Sequence, residues 1–452
     1  MENNNIYFVL SILCLVIILA LILCADYSLT LGKIKPHIRI RRRYINIALL
    51  ILSFLVFWLC NNHRYNAYNN YSYFARALLE GHLDVPDMPS WLESVTFEGK
   101  VYMHFAPGVA LLSIPFVAIF GVEGFNCAVL AMVLGACNMV LAVQVLRNMK
   151  IGANRRDQIW LGAMLVFGTV HFFCASQGSS WFLGHVSTLF FLLVALVYFT
   201  KGKKEFPYEN MFWAGLFFGL AVTCRMAALF GFVFFAGYLI LKDKRWIKSI
   251  LVFCCGAAVF GGLYMAYNFV RFGTIMDMGY QLTYLKDMHR EVYDALQAAP
   301  ISEQRQLLRQ YKAEYGGPLQ MKFIANNLYS IFFLPPAFQK EFPYIIPTLA
   351  GVAVTYTSPM LYCAALADWK DKKIWVLGIT MVLTAMPFLM NYGNGMAQFG
   401  MRYSMDFTPY LWLMMCYGLT RKGRLKPWMK IGIALCILIQ GWGTLFWTYF
   451  YC

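Results

Sequence analysis

Residues 6–24 read IYFVLSILCLVIILALILC, an apolar run without a single charge. A basic cluster follows in KIKPHIRIRRR (33–43), and then a second uncharged run, INIALLILSFLVFWLCNN (45–62). A helix needs about 20 predominantly apolar residues to cross the hydrocarbon core of a bilayer. These runs are continuous rather than alternating, so they suit helices that satisfy their own backbone, not the strands of a barrel. The same unit, an apolar run followed by a short polar or basic segment, recurs to the end of the chain. The expected fold is all-α: a polytopic integral membrane protein with about 12 transmembrane helices.

Composition agrees. The chain has 452 residues, of which 60% are hydrophobic, 17% aromatic and only 13% charged. A soluble domain carries about 25% charged residues. The net charge of +16 would suit a nucleic-acid partner if it were spread over one face. Instead, most of the Lys and Arg residues fall in six short segments between apolar runs, the positive-inside pattern of a bacterial-type plasma membrane protein. The segments are marked by Lys33, Lys35, Arg39 and Arg41–Arg43; by Arg147, Lys150, Arg155 and Arg156; by Lys201, Lys203 and Lys204; by Lys242, Lys244, Arg245 and Lys248; by Lys370, Lys372 and Lys373; and by Arg421, Lys422, Arg424, Lys426 and Lys430. The 13 cysteines lie in or beside apolar runs without metal spacing and read as packing residues.

With these segments cytoplasmic, spans fall near 6–24, 45–62, 123–147, 159–175, 184–200, 210–224, 227–241, 249–270, 344–366, 374–390, 405–420 and 430–449. Both termini are then extracytoplasmic. The first run reads as a retained span, because Glu2 precedes it and no small-residue cleavage site follows it. Residues 107–121 (PGVALLSIPFVAIFG) are apolar but short and contain Pro107 and Pro115. Counting them as a span would put Arg147–Arg156 outside, so they read as a re-entrant or surface-lying helix, a full span being the alternative. The chain is a single transmembrane domain, 1–452, with two large extracytoplasmic regions at 61–123 and 271–343. The stretch 281–314 is amphipathic with a break at Pro300, expected on the membrane surface or over a cavity.

The candidate chemistry sits in those outer regions. The first carries Asn69, Asn70, Glu80, His82, Asp84, Asp87, Glu93, Glu98, Lys100 and His104. Tyr71–Leu79 can form a helix with Tyr71, Phe74, Ala75 and Leu78 on one face, expected to anchor at the lipid interface. Carboxylates beside a membrane-embedded cavity suit general-base work, which makes this cluster as a whole a candidate. Arg225, Arg271 and Arg402 stand apart from the basic segments, each at the outer end of an apolar run. Such an arginine is costly unless it meets water or a counter-charge. A guanidinium fork matches phosphate oxygens, so these three are candidate anion ligands; snorkelling to headgroups is the plainer use. Arg402 and Asp406, four apart, can also pair on a helix. His185 opens a span next to Trp181 and joins the substrate-binding candidates with Asn69, Asn70, His104 and Tyr403. His171 reads as a packed residue. No Gly-rich nucleotide loop is present, no pair of carboxylates or histidines has metal spacing, and the use of a divalent metal stays open.

Five stretches resemble one family in order along the chain. NNYSYFARALLEGHL (69–83) and FEGKVYMHFAPGVALLSIPFVAIFG (97–121) resemble the opening of the GT-C superfamily of membrane glycosyltransferases, and are most similar to bacterial members like the protein mannosyltransferases of glycosyltransferase family 39. CRMAALF (224–230), YNFVRFGTIMDMGYQ (267–281) and QFGMRYSMDFTPYL (398–411) look like the same group. The resemblance implies a large first extracytoplasmic loop with membrane-lying helices. It also implies transfer of a sugar from a polyprenyl-phosphate carrier to a glycan, lipid or protein acceptor at the extracytoplasmic face, by an inverting hexosyl- or pentosyltransferase. An acid at the start of the first loop usually acts as base in such enzymes. Here Asn69 and Asn70 stand roughly where an acidic pair is expected, which leaves a displaced acid such as Asp84, Asp87 or Glu93. The alternatives are a transporter or flippase of a lipid-linked precursor and a non-catalytic relative. No internal repeat supports the transporter.

Overall fold

A computed structural model of the protein describes residues 2–30, 41–61, 66–202 and 207–451. Lys33, Lys35, Arg39, Lys203 and Lys204, placed above in basic segments, lie outside the described residues. Seven helices among the described residues are long and apolar enough to cross a membrane: Asn4–Ser28, Arg42–Asn61, Cys127–Asn148, Ser180–Phe199, Trp246–Phe272, Lys372–Leu389 and Pro427–Tyr451. An eighth results if Arg155–Val166 and His171–Gln177, bent by 65° at a short break, count as one span. Along the first helix, Ile6, Leu10, Ile17 and Leu21 stand exposed. An apolar face of that length is stable only where hydrocarbon is the solvent.

Some expected spans take another form. The runs 210–224 and 405–420 fold as the shorter helices Tyr208–Cys224 and Thr408–Thr420. The run 227–241 becomes a 3-10 turn, Met226–Gly231, that continues into the helix Phe232–Lys242. The run 344–366 is not one helix. Ile345–Ile346 pairs with Ala337–Phe338 in a small antiparallel ladder, and only Val354–Thr357 and the 3-10 segment Pro359–Leu366 are helical. Pro347 and Pro359 each remove a backbone donor there, which apolarity alone does not reveal. Residues 107–121 form most of an apolar helix, Gly108–Gly124, with Pro115 inside it and a kink at Gly121.

Helix packing is close where side chains vanish. A Cβ on Gly215 would lie 1.9 Å from the Phe253 carbonyl oxygen, and one on Gly256 would lie 2.1 Å from that of Phe212. The helices Tyr208–Cys224 and Trp246–Phe272 therefore meet backbone to backbone, as small residues allow in membranes.

The two ends of the bundle differ. At one end Phe8, Phe342 and Phe450 cluster edge to face, and Thr448 Oγ1 donates to the Cys60 carbonyl at 2.6 Å. At the other, Lys430 Nζ lies 2.5 Å from Asp26 and 3.7 Å from Asp157, while Arg421 reaches Asp368 at 3.4 Å. Arg421 and Lys430, from the last basic segment, thus lie away from the end that holds Phe8 and Phe450.

The two long connecting regions form one unit. The hairpin Val95–Phe97 and Lys100–Tyr102 packs its Val95, Phe97 and Tyr102 against Leu282, Leu285, Tyr293, Leu296 and Leu308. Those residues belong to three helices, Gly279–Met288, Arg290–Ala298 and Ile301–Tyr315. Pro300 makes one of the breaks, as expected; His289 makes the other. The helix Asn70–Leu79 departs from expectation. Tyr71, Phe74 and Ala75 are buried in protein, with Phe74 5.8 Å from the Tyr267 ring and Tyr71 5.9 Å from Phe105. Its aromatic face closes the core rather than anchoring in lipid.

Candidate functional site

The 3-10 turn Arg402–Asp406 is the centre of the site. Asp406 is buried and accepts two hydrogen bonds from Arg225, from Nε and from Nη2, each at 2.8 Å. His185 Nδ1 lies 3.4 Å from the same carboxylate. Asp406 therefore joins the junction after Cys224 to the helix Ser180–Phe199. The Arg402–Asp406 pairing that their spacing allows does not form; Arg225 occupies the carboxylate.

Arg402 is only 7% exposed. Its Nη1 donates to the Met396 carbonyl at 3.1 Å and to Gln398 Oε1 at 3.4 Å, and its guanidinium faces the rings of Tyr403 at 5.0 Å and Phe182 at 5.7 Å. Gly395, at φ +80°, lets the 391–400 loop lie against the guanidinium, since a Cβ there would sit 2.8 Å from Cζ. Among the described residues no carboxylate comes within ion-pair distance of Arg402. Nε and Nη2 make no hydrogen bond to them. A buried cation held only by neutral groups keeps strong attraction for an anion. Tyr403 stacks on Phe388 at 4.6 Å and stands 5.6 Å from the His185 ring.

Glu93 forms the facing wall. Trp181 Nε1 donates to its Oε2 at 3.0 Å, and His104 Nε2 stands 3.5 Å from the same oxygen. Asn70 Nδ2 donates to the Glu93 backbone carbonyl at 2.9 Å, which ties that loop to the start of the Asn70–Leu79 helix. The Glu93 side chain is 50% exposed, yet desolvation by the surrounding walls pushes its carboxyl above the usual carboxylate range, and the Trp181 bond and the nearby Arg402 charge hold the rise back. Burial, helped by Lys286, pushes His104 down to about 3, so its imidazole is neutral. His104 Nδ1 is buried with no hydrogen-bond partner among the described residues. The Tyr280 ring stands 5.4 Å from His104.

The other candidates lie elsewhere. Asp87 pairs with Arg76 at 3.0 Å on the surface, its side chain 73% exposed. Asp84 faces Lys100 at 4.0 Å and His82 at 3.9 Å. Neither touches the arginine turn. Asn69 is buried, and its carbonyl accepts from the Ser72 amide at 2.8 Å, opening the helix. Arg271 departs furthest from expectation. It is 1% exposed and caged: Nη2 donates to Asn268 at 2.7 Å and lies 3.7 Å from Asp277, Nη1 donates to the Met103 carbonyl at 3.3 Å, and the Tyr267 ring is 3.8 Å away. Its charge faces Asp277, and its Nε is buried with no hydrogen-bond partner among the described residues. His171 is packed, bonded to Asn138 and to the Val166 carbonyl, each at 3.0 Å.

Sequence reasoning missed Trp181 as a partner of Glu93, and missed Tyr280, Lys286 and Asp287. Lys286 donates to the Ser94 carbonyl at 2.9 Å, and Asp287 accepts from the Tyr392 hydroxyl at 2.7 Å. All three lie in the second outer region, and only the packing of that region on the first brings them to Glu93. Among the described residues no group of three or more His, Cys, Asp or Glu side chains is arranged to hold a metal ion.

No protein-family model matches this sequence, and no curated protein matches it. Two solved structures are similar in part. ArnT from Cupriavidus metallidurans, crystallised with undecaprenyl phosphate, aligns with a TM-score of 0.48 and 10% identity over 84% of this chain and 61% of its own. The oligosaccharyltransferase of Archaeoglobus fulgidus in its apo form aligns with a TM-score of 0.46 and 11% identity over 90% of this chain and 56% of its own. The chain thus spans less than two thirds of either structure.

Proposed function

We propose that this protein is a membrane glycosyltransferase of the superfamily its motifs resemble. It would move a sugar from a polyprenyl-phosphate carrier to an acceptor hydroxyl at the extracytoplasmic face of a bacterial-type plasma membrane. One observation carries the reading. Arg402, a buried guanidinium without a carboxylate partner among the described residues, shares a site with Glu93, a carboxyl held above its usual range. The first suits a phosphate and the second suits a base.

In the proposed step Glu93 takes the proton of the acceptor hydroxyl. The acceptor oxygen bonds to the anomeric carbon as the bond from that carbon to the phosphate oxygen breaks. The carrier phosphate leaves with the electron pair, and Arg402 meets the charge that develops on it. A single displacement of this kind inverts the anomeric centre. Arg225 is neutralised by Asp406 and holds the turn that presents Arg402. Asn70, where the resembled family carries acid, serves instead to fix the Glu93 loop. The extracytoplasmic placement rests on the positive-inside reading of the basic segments.

Purified protein in vesicles, given undecaprenyl phosphate carrying a radiolabelled sugar together with a membrane lipid and glycan extract, tests this. Label is expected to leave the carrier for a new product, and to stay on it with Glu93→Gln or Arg402→Ala. Label that crosses the vesicle membrane still attached to its carrier would favour transport and sink the reading.

A further inference from the structure

Resting on that glycosyl-transfer reading, we propose that the acceptor is a saccharide, seated on an aromatic platform of Tyr68 and Trp181 beside the Glu93 carboxylate. The two rings lie 4.9 Å apart, tilted by 44°. Tyr68 is 46% exposed and Trp181 is partly exposed. The indole edge is the group that bonds Glu93, so the aromatic surface and the carboxylate oxygen adjoin.

The platform is rigid. The Ser180 amide and hydroxyl both donate to the Tyr68 carbonyl, at 2.9 and 2.8 Å. Asn66 Nδ2 donates to the Gln177 carbonyl at 3.1 Å, and Asn66 Oδ1 accepts from the Tyr68 amide at 2.9 Å. The start of the first outer region is thereby stapled to the turn before the Ser180–Phe199 helix. A pyranose ring has an apolar C–H face and a rim of hydroxyls. An aromatic surface takes the first, and a carboxylate at its edge takes a proton from the second.

A peptide acceptor fits less well, because most outward backbone groups of the hairpin after Glu93 already have partners among the described residues. The Thr96 amide bonds the Tyr293 hydroxyl at 2.8 Å, and the Thr96 carbonyl accepts from Gln297 at 2.8 Å. Lys286 takes the Ser94 carbonyl. On the other strand, the Val101 carbonyl accepts from the Val85 amide at 2.7 Å. Strand addition needs unpaired backbone groups, and side chains or loop amides occupy these.

Saturation-transfer NMR on the full chain, in a detergent without a sugar headgroup, provides the test. The probes are methyl pyranosides of the gluco, galacto and manno series, a serine/threonine hexapeptide, and, in separate lipid nanodiscs, an alkyl glucoside. Transfer to pyranose ring protons is expected. It should weaken about tenfold in Tyr68→Ala and Trp181→Ala and survive largely in Trp181→Phe. Ring transfer from the methyl glycosides points to a free glycan acceptor; transfer from the alkyl glucoside alone points to a glycolipid. No transfer to any pyranoside, equal transfer in the alanine variants, or a Trp181-dependent peptide signal would overturn the assignment. Undecaprenyl phosphate binding, measured on the same samples, separates the two readings. Wild-type protein that fails to bind the carrier tells against glycosyl transfer itself, whereas carrier binding without pyranoside binding tells against the acceptor assignment alone.

Discussion

Arg402 and Arg271 look alike in the sequence: each is a lone arginine at the outer end of an apolar run. The fold treats them in opposite ways. Arg271 lies beside Asp277, which also accepts from the Tyr264 hydroxyl at 2.6 Å and from the Gly279 amide at 2.7 Å. Its charge is answered by that carboxylate in a buried cage, and the cage sets the start of the Gly279–Met288 helix. Arg402 sits against carbonyl, amide and aromatic groups, with no carboxylate in reach among the described residues. A guanidinium in membrane surroundings needs an answering charge or water. Where the protein supplies the charge, the arginine is structural; where it does not, the arginine is fit to take a ligand's.

Replacing each arginine tests that contrast. Arg402→Ala is expected to lower sugar transfer about a hundredfold or more, since it removes the cation facing the leaving phosphate, while thermal unfolding stays near wild type. Glu93→Gln is expected to lower transfer by about 10²–10⁴ with carrier binding intact, measured by single-turnover transfer and by binding of undecaprenyl phosphate. Arg271→Ala should act on stability instead. It leaves Asp277 buried without its partner, a loss of about 3–5 kcal/mol. The double change Arg271→Ala with Asp277→Asn should cost less than the sum of its parts. An Arg271→Ala protein that unfolds normally yet no longer binds carrier would merge the two regions and break the comparison.

Much of the fold was legible because its cause is local. Continuous apolar runs and basic segments predict membrane helices at Arg42–Asn61, Cys127–Asn148 and Ser180–Phe199 by composition alone. The run 344–366 misleads, because apolarity does not distinguish a helix from an apolar loop interrupted by Pro347 and Pro359. The structure brings Glu93, His104, His185, Arg225, Arg402 and Tyr403 near one another, residues that the sequence offered only as candidate types. Their pairing was not legible there. Arg402–Asp406 has helical spacing, yet Arg225 takes the carboxylate from 181 residues away. Asp84 and Asp87 share the loop of Glu93, but only Glu93 meets Trp181. Long-range contact decides among neighbours that sequence treats as equal.

The smaller effects sharpen the choice of carboxylate. Desolvation holds the Glu93 carboxyl above its usual range, and only the ionised form accepts a proton. Transfer should therefore rise with pH through a window above the ordinary carboxylate range, and the residual rate of Glu93→Gln should be flat across it. Asp87 is the more open of the two acids, against 50% exposure for the Glu93 side chain. Its carboxylate is 73% exposed and pairs with an Arg76 that is itself 36% exposed. A pair so open to water is worth about 0–1 kcal/mol, because solvent screens both charges and two long side chains lose freedom to hold it. Asp87→Asn should leave transfer, carrier binding and unfolding temperature unchanged within error. If it silenced transfer as Glu93→Gln does, the base would lie on the open face of the loop, and the wall that joins Glu93 to Trp181 and His104 would be scaffold rather than site.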